Sequence, residues 1–206
     1  MPNHFLNTEL FDKAAHFAIS AHANTERRAK GFPYIIHPME AAAIVATMTT
    51  DPELLAAAIL HDTLEDTEVT FEELRSQFGN RVAYLVLAES NIKKNGILRQ
   101  TTWRESKSRA VERLANASHE GKIVAMGDKL SNLRAIASDY QLIGDQLWSR
   151  FHAPEGKKDV ECVRRAALQA CHRCGRTVWR GRLRYPGAQC VSPVVRYMRY
   201  MGRLYG

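Results

Sequence analysis

Leu54-Leu55-Ala56-Ala57-Ala58-Ile59-Leu60-His61-Asp62-Thr63-Leu64-Glu65-Asp66-Thr67 is the stretch from which the rest of the chain can be read. Its apolar run, Leu54–Leu60, falls far short of the roughly 18 residues that span a bilayer. Preceded by Asp51-Pro52-Glu53, it predicts a helix with an aspartate N-cap and a proline in the first turn. A helix that is apolar all round is a buried one. The polar end, His61-Asp62, therefore sets two ionisable groups where they are costly unless paired or metal-bound. Glu65 and Asp66 follow four residues later, so on a continuing helix His61 stacks over Glu65 and Asp62 over Asp66. Three carboxylates within two turns repel one another unless a cation offsets them. A divalent metal supplies that cation.

Working outward, the other segments also read as helices. Leu10, Phe11, Ala14, Phe17, Ala18 and Ala21 share one face of a helix from Thr8 to about Ala23, with Asn7 or Thr8 as N-cap. Asn24–Gly31 is a polar, basic loop closed by Phe32-Pro33-Tyr34. Pro38 at a first helical position predicts a helix Pro38–Met48. Thr70 and Glu73 form a capping box for a short helix that stops at Gly79, and Arg81 to about Ile92 is helical again. Lys93–Thr102 reads as a loop, 102–117 as a charged amphipathic helix, Lys122–Ala137 as a helix around Gly127-Asp128, and Leu142–Phe151 as a last one. No hairpin signal and no repeat appears. The fold class is all-α.

Composition divides the chain. Residues 1–150 carry 17 Lys+Arg against 19 Asp+Glu, a net of −2, whereas residues 151–206 carry 12 against 3, a net of +9. All four cysteines lie in that last quarter. The first segment is an ordinary neutral globular domain, and its hydrophobic share excludes a disordered or collagen-like chain. The N-terminus lacks the basic start and apolar run of a secretory signal, so a cytoplasmic protein with no membrane partner is expected. The expected organisation is a domain over 1–155 and a basic extension over 156–206.

A His-Asp pair does not complete a metal site. His37, at the mouth of the basic loop, and Asp128, inside the apolar run Ile123–Leu130, are the best additional ligands. Two imidazoles and two carboxylates suit an octahedral Mn²⁺- or Mg²⁺-like ion better than a thiolate zinc site. Such an ion polarises a phosphoryl oxygen and lowers the pKa of water. Glu65 or Asp66 is placed to act as general base or acid. Arg27, Arg28 and Lys30 precede His37 by seven to ten residues, so one loop brings phosphate-binding cations near the metal. His16, His22 and His119 read as structural or surface histidines, and Tyr34 as packing.

Gly31-x-Pro33-Tyr34-x-x-His37-Pro38, His61-Asp62-Thr63-x-Glu65-Asp66-Thr67 and Gly127-Asp128-Lys129-x-x-Asn132-Leu133-Arg134, in this order over roughly residues 5–155, resemble the hydrolase half of the RelA/SpoT family and its stand-alone small alarmone hydrolases. These belong to the HD-domain phosphohydrolase superfamily. The resemblance implies a helical HD-domain bundle that removes the 3′-pyrophosphate of guanosine 3′-diphosphate 5′-di- or triphosphate with one Mn²⁺. It implies His37, His61, Asp62 and Asp128 as metal ligands and Glu65 and Asp66 as the catalytic pair. Arg28 and Asn132 match substrate contacts. Ala29 stands where the family often has Lys, with Lys30 as substitute, and Ala135 where it often has Thr. An HD phosphohydrolase of another nucleotide is the enzymatic alternative.

The extension breaks the pattern. Asp159–Cys171 has helical spacing, but Cys171-His172-Arg173-Cys174 lacks two further ligands at regular spacing for a structural zinc. The arginines, with Trp179 and Tyr185, suit RNA through charge and stacking, which gives a second class of reading: a nucleic-acid-binding protein on an HD scaffold. The same composition is what an out-of-frame end of GC-rich DNA would encode. The complete metal quartet weighs against a purely binding role.

Overall fold

The computed structural model describes residues 8–27, 30–90, 112–144 and 146–147. Among them the fold is all-α, and no helix is long and apolar enough to cross a membrane. The helices are α1 (Glu9–Ala21), α2 (Ile36–Ala46), α3 (Pro52–Leu60), α4 (Thr63–Asp66), α5 (Phe71–Glu89) and α6 (His119–Ile143). Residues 112–116 are also helical. The described residues fall into two compact units, one within Met1–Gln100 plus Ile123–Asp128 and the other within Thr101–Lys122 plus Lys129–Gly206.

α3 is the hub of the first unit, because α1, α2 and α5 all pack on it. Its composition dictates that place: Leu54, Ala56, Ala57, Ala58, Ile59 and Leu60 are all buried. The small alanines let neighbouring helices approach closely, while Leu60 and Ile59 fill the space between them. Asp51 caps α3 by accepting from the Glu53 amide at 2.9 Å, with Pro52 at the first helical position. Arg81 on α5 donates to both Asp51 carboxylate oxygens, at 2.7 and 3.3 Å, and to Glu53. These bonds clamp α5 to the start of α3.

The Arg81 hydrogen bonds, with the Glu53 amide, hold the Asp51 carboxyl below the usual carboxylate range. A folded-state pKa below the unfolded one contributes stability that is present above the ordinary carboxylate value and is lost as pH falls through the depressed one. Asp51→Ala removes a helix cap and a bidentate partner, and is expected to cost about 1–2 kcal/mol at neutral pH. Urea midpoints against pH check this: the wild-type advantage over the variant should shrink on the acid side and disappear below the Asp51 titration.

Several boundaries differ from the sequence expectation. α2 starts at Ile36 rather than Pro38, which sits in its third position. Proline fits anywhere in the first turn, where amides have no intrahelical acceptor, so it marks the turn but not the residue. By contrast, the stop expected at Gly79 is present: α5 is two helical segments that meet at a kink where Gly79 takes φ 84° and ψ 169°. The helix expected over Lys122–Ala137 is longer at both ends. It begins after Ser118, whose hydroxyl accepts from the Gly121 amide at 3.0 Å, and stops where Gly144 takes φ 56°. Leu142 and Ile143 therefore complete α6 instead of opening a new helix. The expected helices and loops over 91–111 and beyond 147, the zinc reading of Cys171 and Cys174, and the RNA-binding reading of the basic extension lie outside the described residues.

Candidate functional site

The His61-Asp62-Thr63 step is, locally, the way α3 ends. The last carbonyls of a helix have no downstream amide to pair with. Here side chains take two of them: Thr63 Oγ1 donates to the Leu60 carbonyl at 2.7 Å, and His61 Nδ1 lies 2.8 Å from the Ala58 carbonyl. A carbonyl only accepts, so Nδ1 carries a proton, and Nε2 is the nitrogen turned inward. The chain does not continue as one helix to Glu65, as the sequence suggested. It turns at His61-Asp62 and re-forms as α4, with the Asp66 amide still bonded to the Asp62 carbonyl at 2.9 Å.

His61 Nε2 is buried 2.9 Å from Asp62 Oδ2 and 3.7 Å from Asp128 Oδ1, without forming an aligned hydrogen bond. His37, in the first turn of α2, brings its own Nε2 to 3.4 Å from Asp62 Oδ2 and 3.3 Å from Asp128 Oδ1. The two imidazole rings meet edge to face, with centroids 5.1 Å apart. Burial disfavours a protonated His61, but the Asp62 and Asp128 carboxylates outweigh it and hold the imidazole well above the ordinary histidine range. Burial likewise opposes ionised Asp62, and His61 and His37 more than compensate, so its carboxyl lies well below the usual range. The cluster is built for positive charge at its centre.

A divalent cation fits that centre. The ligating atoms of buried His37, His61 and Asp128 all lie within 4.8 Å of one another. The orphaned Nε2 of His61 faces the same point as the carboxylates, and mixed imidazole and carboxylate donors suit a hard-to-borderline divalent ion. The Ala58 carbonyl behind His61 is the outer partner that fixes a ligating histidine's tautomer.

Asp128 reaches the centre because of its neighbour. A β-carbon on Gly127 would fall 2.6 Å from the Ala41 carbonyl oxygen and 2.8 Å from Val45 Cγ2. Only a residue without a side chain lets this part of α6 touch the α2 backbone. Ala41 is one turn beyond His37, so that approach sets Asp128 beside His37 Nε2.

Tyr34, which the sequence assigned to packing, hydrogen-bonds within the site. Its hydroxyl lies 2.7 Å from Asp62 Oδ2 and 2.8 Å from Asp66 Oδ2, and it ties the two carboxylates together. Burial and then the Asp62 charge push the phenol far above its ordinary range, so it stays a donor. Burial and the Asp62 charge also raise Asp66, although the Tyr34 hydrogen bond partly offsets them. The available signal was the spacing Tyr34-x-x-His37, which puts phenol and imidazole on one side of a helical turn.

The basic loop is a closed hairpin-like turn. An isolated antiparallel bridge joins Glu26 and Pro33, the Arg27 amide donates to the Phe32 carbonyl at 2.9 Å, and the Gly31 amide donates to Glu26 Oε1 at 2.9 Å. Arg27 lies over the Tyr34 ring, 5.3 Å from its centroid. Lys30 is half-buried in this turn. Arg28 lies outside the described residues. Glu65 is half-buried in α4, Asp66 is exposed as a residue although its Oδ2 is turned in to the Tyr34 hydroxyl, and Asn132 is half-buried in α6, four residues after Asp128.

Known proteins resemble this chain over most of its described length. A family model described as the HD domain matches residues 14–154. The zebrafish guanosine-3′,5′-bis(diphosphate) 3′-pyrophosphohydrolase MESH1 is 38% identical over 133 residues, which cover 63% of this chain and 71% of that protein. The Aquifex aeolicus guanosine-3′,5′-bis(diphosphate) 3′-pyrophosphohydrolase is 34% identical over 133 residues, and the match spans only 18% of that longer protein. A solved metazoan SpoT ortholog, described as hydrolysing ppGpp, superposes with a TM-score of 0.59 at 27% identity, covering 84% of this chain and 97% of that one. A Listeria monocytogenes structure, 24% identical with a TM-score of 0.58, shares the fold.

Proposed function

The chain belongs to the HD domain family, and on that premise we propose that it is a metal-dependent hydrolase of guanosine 3′,5′-bis(diphosphate) that releases the 3′-pyrophosphate and leaves GDP. The pentaphosphate analogue gives GTP by the same step. The observation that carries the reading is the buried His61 Nε2, turned by Ala58 toward Asp62 and Asp128 with His37 alongside. His37, His61, Asp62 and Asp128 are the proposed ligands, and Mn²⁺ the proposed ion. When bound, such an ion polarises a phosphoryl oxygen and lowers the pKa of water.

The chain's own groups divide the remaining work. Water adds to the phosphorus of the 3′-ester, the bond to the ribose 3′-oxygen breaks, and that oxygen takes up a proton. Asp66, held above the usual carboxylate range by burial and the Asp62 charge, is the better proton donor of the acidic pair. Glu65 is the proposed base. Arg28 and Lys30 are proposed to bind phosphate from the basic turn, and Asn132 the nucleotide. We place the catalytic domain over residues 1–155, in keeping with a family match that ends at residue 154. The cytoplasm is the proposed compartment.

A substrate panel tests the reading. Guanosine 3′,5′-bis(diphosphate) should be hydrolysed with GDP and pyrophosphate in equal amounts, and GDP, GTP and ATP should be left intact. Release of single phosphates, or preference for a nucleotide lacking the 3′-pyrophosphate, would move the assignment to another HD phosphohydrolase reaction.

A further inference from the structure

We propose that Tyr34 is a positioning residue, held in contact with the Arg27 guanidinium and the His22 ring, whose hydroxyl fixes Asp62 toward the metal and Asp66 toward the reacting phosphate. The proposal rests on the function argued above: on its proton donor for the role of Asp66, and on its ligand set for that of Asp62.

One phenolic proton stands between two carboxylates, 2.7 and 2.8 Å away, that come from either end of the His61–Asp66 turn. Tyr34 itself is anchored in the basic turn, where its amide donates to the Thr25 carbonyl at 2.8 Å. Two side chains contact its ring. Arg27 lies 5.3 Å from the centroid, within the range of a cation–π contact. His22, at the C-terminal end of α1, lies 4.9 Å away at a 35° tilt and is 3% exposed. Neither ring nitrogen of His22 has a hydrogen-bond partner among the described residues. His22 therefore acts on Tyr34 through its flat face, as packing. The phosphate-binding turn, α1 and the acidic pair thus meet at one side chain. Hydrogen-bond partners of a metal-ligating carboxylate tune the metal about as strongly as a ligand's own geometry does.

The test compares wild type, Tyr34→Phe, His22→Ala and His22→Phe by Mn²⁺ titration calorimetry, by metal-free melting, and by steady-state kinetics on guanosine 3′,5′-bis(diphosphate). Tyr34→Phe keeps the stack and loses the hydroxyl. It should weaken Mn²⁺ binding about 10–100-fold and lower kcat about 10–100-fold, because a misplaced catalytic group costs on that order. KM should change by no more than roughly twofold, and metal-free melting should fall only by the loss of this one hydrogen bond. His22→Ala should show the same losses in smaller degree, and His22→Phe should restore them. Unchanged affinity in Tyr34→Phe, a fall in only one of affinity and kcat, or failure of His22→Phe to restore what His22→Ala loses would overturn the proposal. Should wild type bind Mn²⁺ and release no pyrophosphate, the proposed function fails, and the affinity comparison still decides the role of Tyr34.

Discussion

Asp62→Ala is expected to abolish pyrophosphate release, lowering kcat by about 10³-fold or more. Asp62 Oδ2 is the one atom that approaches His61, His37 and Tyr34 together, at 2.9, 3.4 and 2.7 Å. Its removal takes one proposed ligand from the ion, opens the Tyr34 bridge to Asp66, and leaves His61 without its closest counter-charge. Loss of a metal's charge stabilisation is worth several kcal/mol in the transition state, and each 1.36 kcal/mol is a factor of ten in rate. The fold should survive, because the α3 core is buried below this residue and the cap of α3 is at its other end. A thermal melt separates the two effects. A ligand at 100 times its Kd stabilises the native state by about 2.7 kcal/mol, so Mn²⁺ should raise the wild-type Tm by several degrees and leave that of Asp62→Ala unmoved. A variant that still responds to Mn²⁺ and still turns over would remove Asp62 from the ligand set.

Gly127→Val is expected to be the most destabilising single substitution near the site, costing about 3 kcal/mol or more. The new β-carbon meets the Ala41 carbonyl oxygen at 2.6 Å and Val45 Cγ2 at 2.8 Å, and a backbone oxygen cannot move aside by changing rotamer. Gly127→Ala gains roughly 1 kcal/mol of helix propensity yet meets the same oxygen, so it should still be destabilised. Relief requires the two helices to separate, which draws Asp128 away from His37 and weakens metal binding as well. Ser138→Val, exposed on the same helix, should change stability by less than about 0.5 kcal/mol. Urea unfolding measures all three, and a lower midpoint at unchanged slope identifies a loss of stability. A Gly127→Val protein as stable as wild type would mean that the helices do not approach as described.

The parts of this protein that could be read from its sequence are those written in neighbouring residues. The continuous apolar run of α3 with Asp51-Pro52 before it, the capping Thr70, and the break at Gly79 are local signals with local causes. Helix starts and ends were less legible. Pro38 fits any position in a first turn, and the end of α6 at Gly144 depends on a glycine φ that Gly144 alone does not announce. His61-Asp62, His37 and Asp128 stood out because ionisable groups beside apolar runs need an explanation. Tyr34 did not, because its two acceptors lie 28 and 32 residues downstream and a tyrosine after a proline looks the same whether it packs or bonds. His22 was hidden for the same reason: its ring contact is with Tyr34, 12 residues downstream.

One time course decides the function: pyrophosphate released from guanosine 3′,5′-bis(diphosphate) by the full 206-residue chain with Mn²⁺, with chelator, and with Asp62→Ala. Release matched by GDP, stopped by chelator, restored by Mn²⁺ and absent from the variant is the predicted result. Release that chelator and the variant leave unaffected, or no release from a chain shown by calorimetry to bind Mn²⁺, would contradict it.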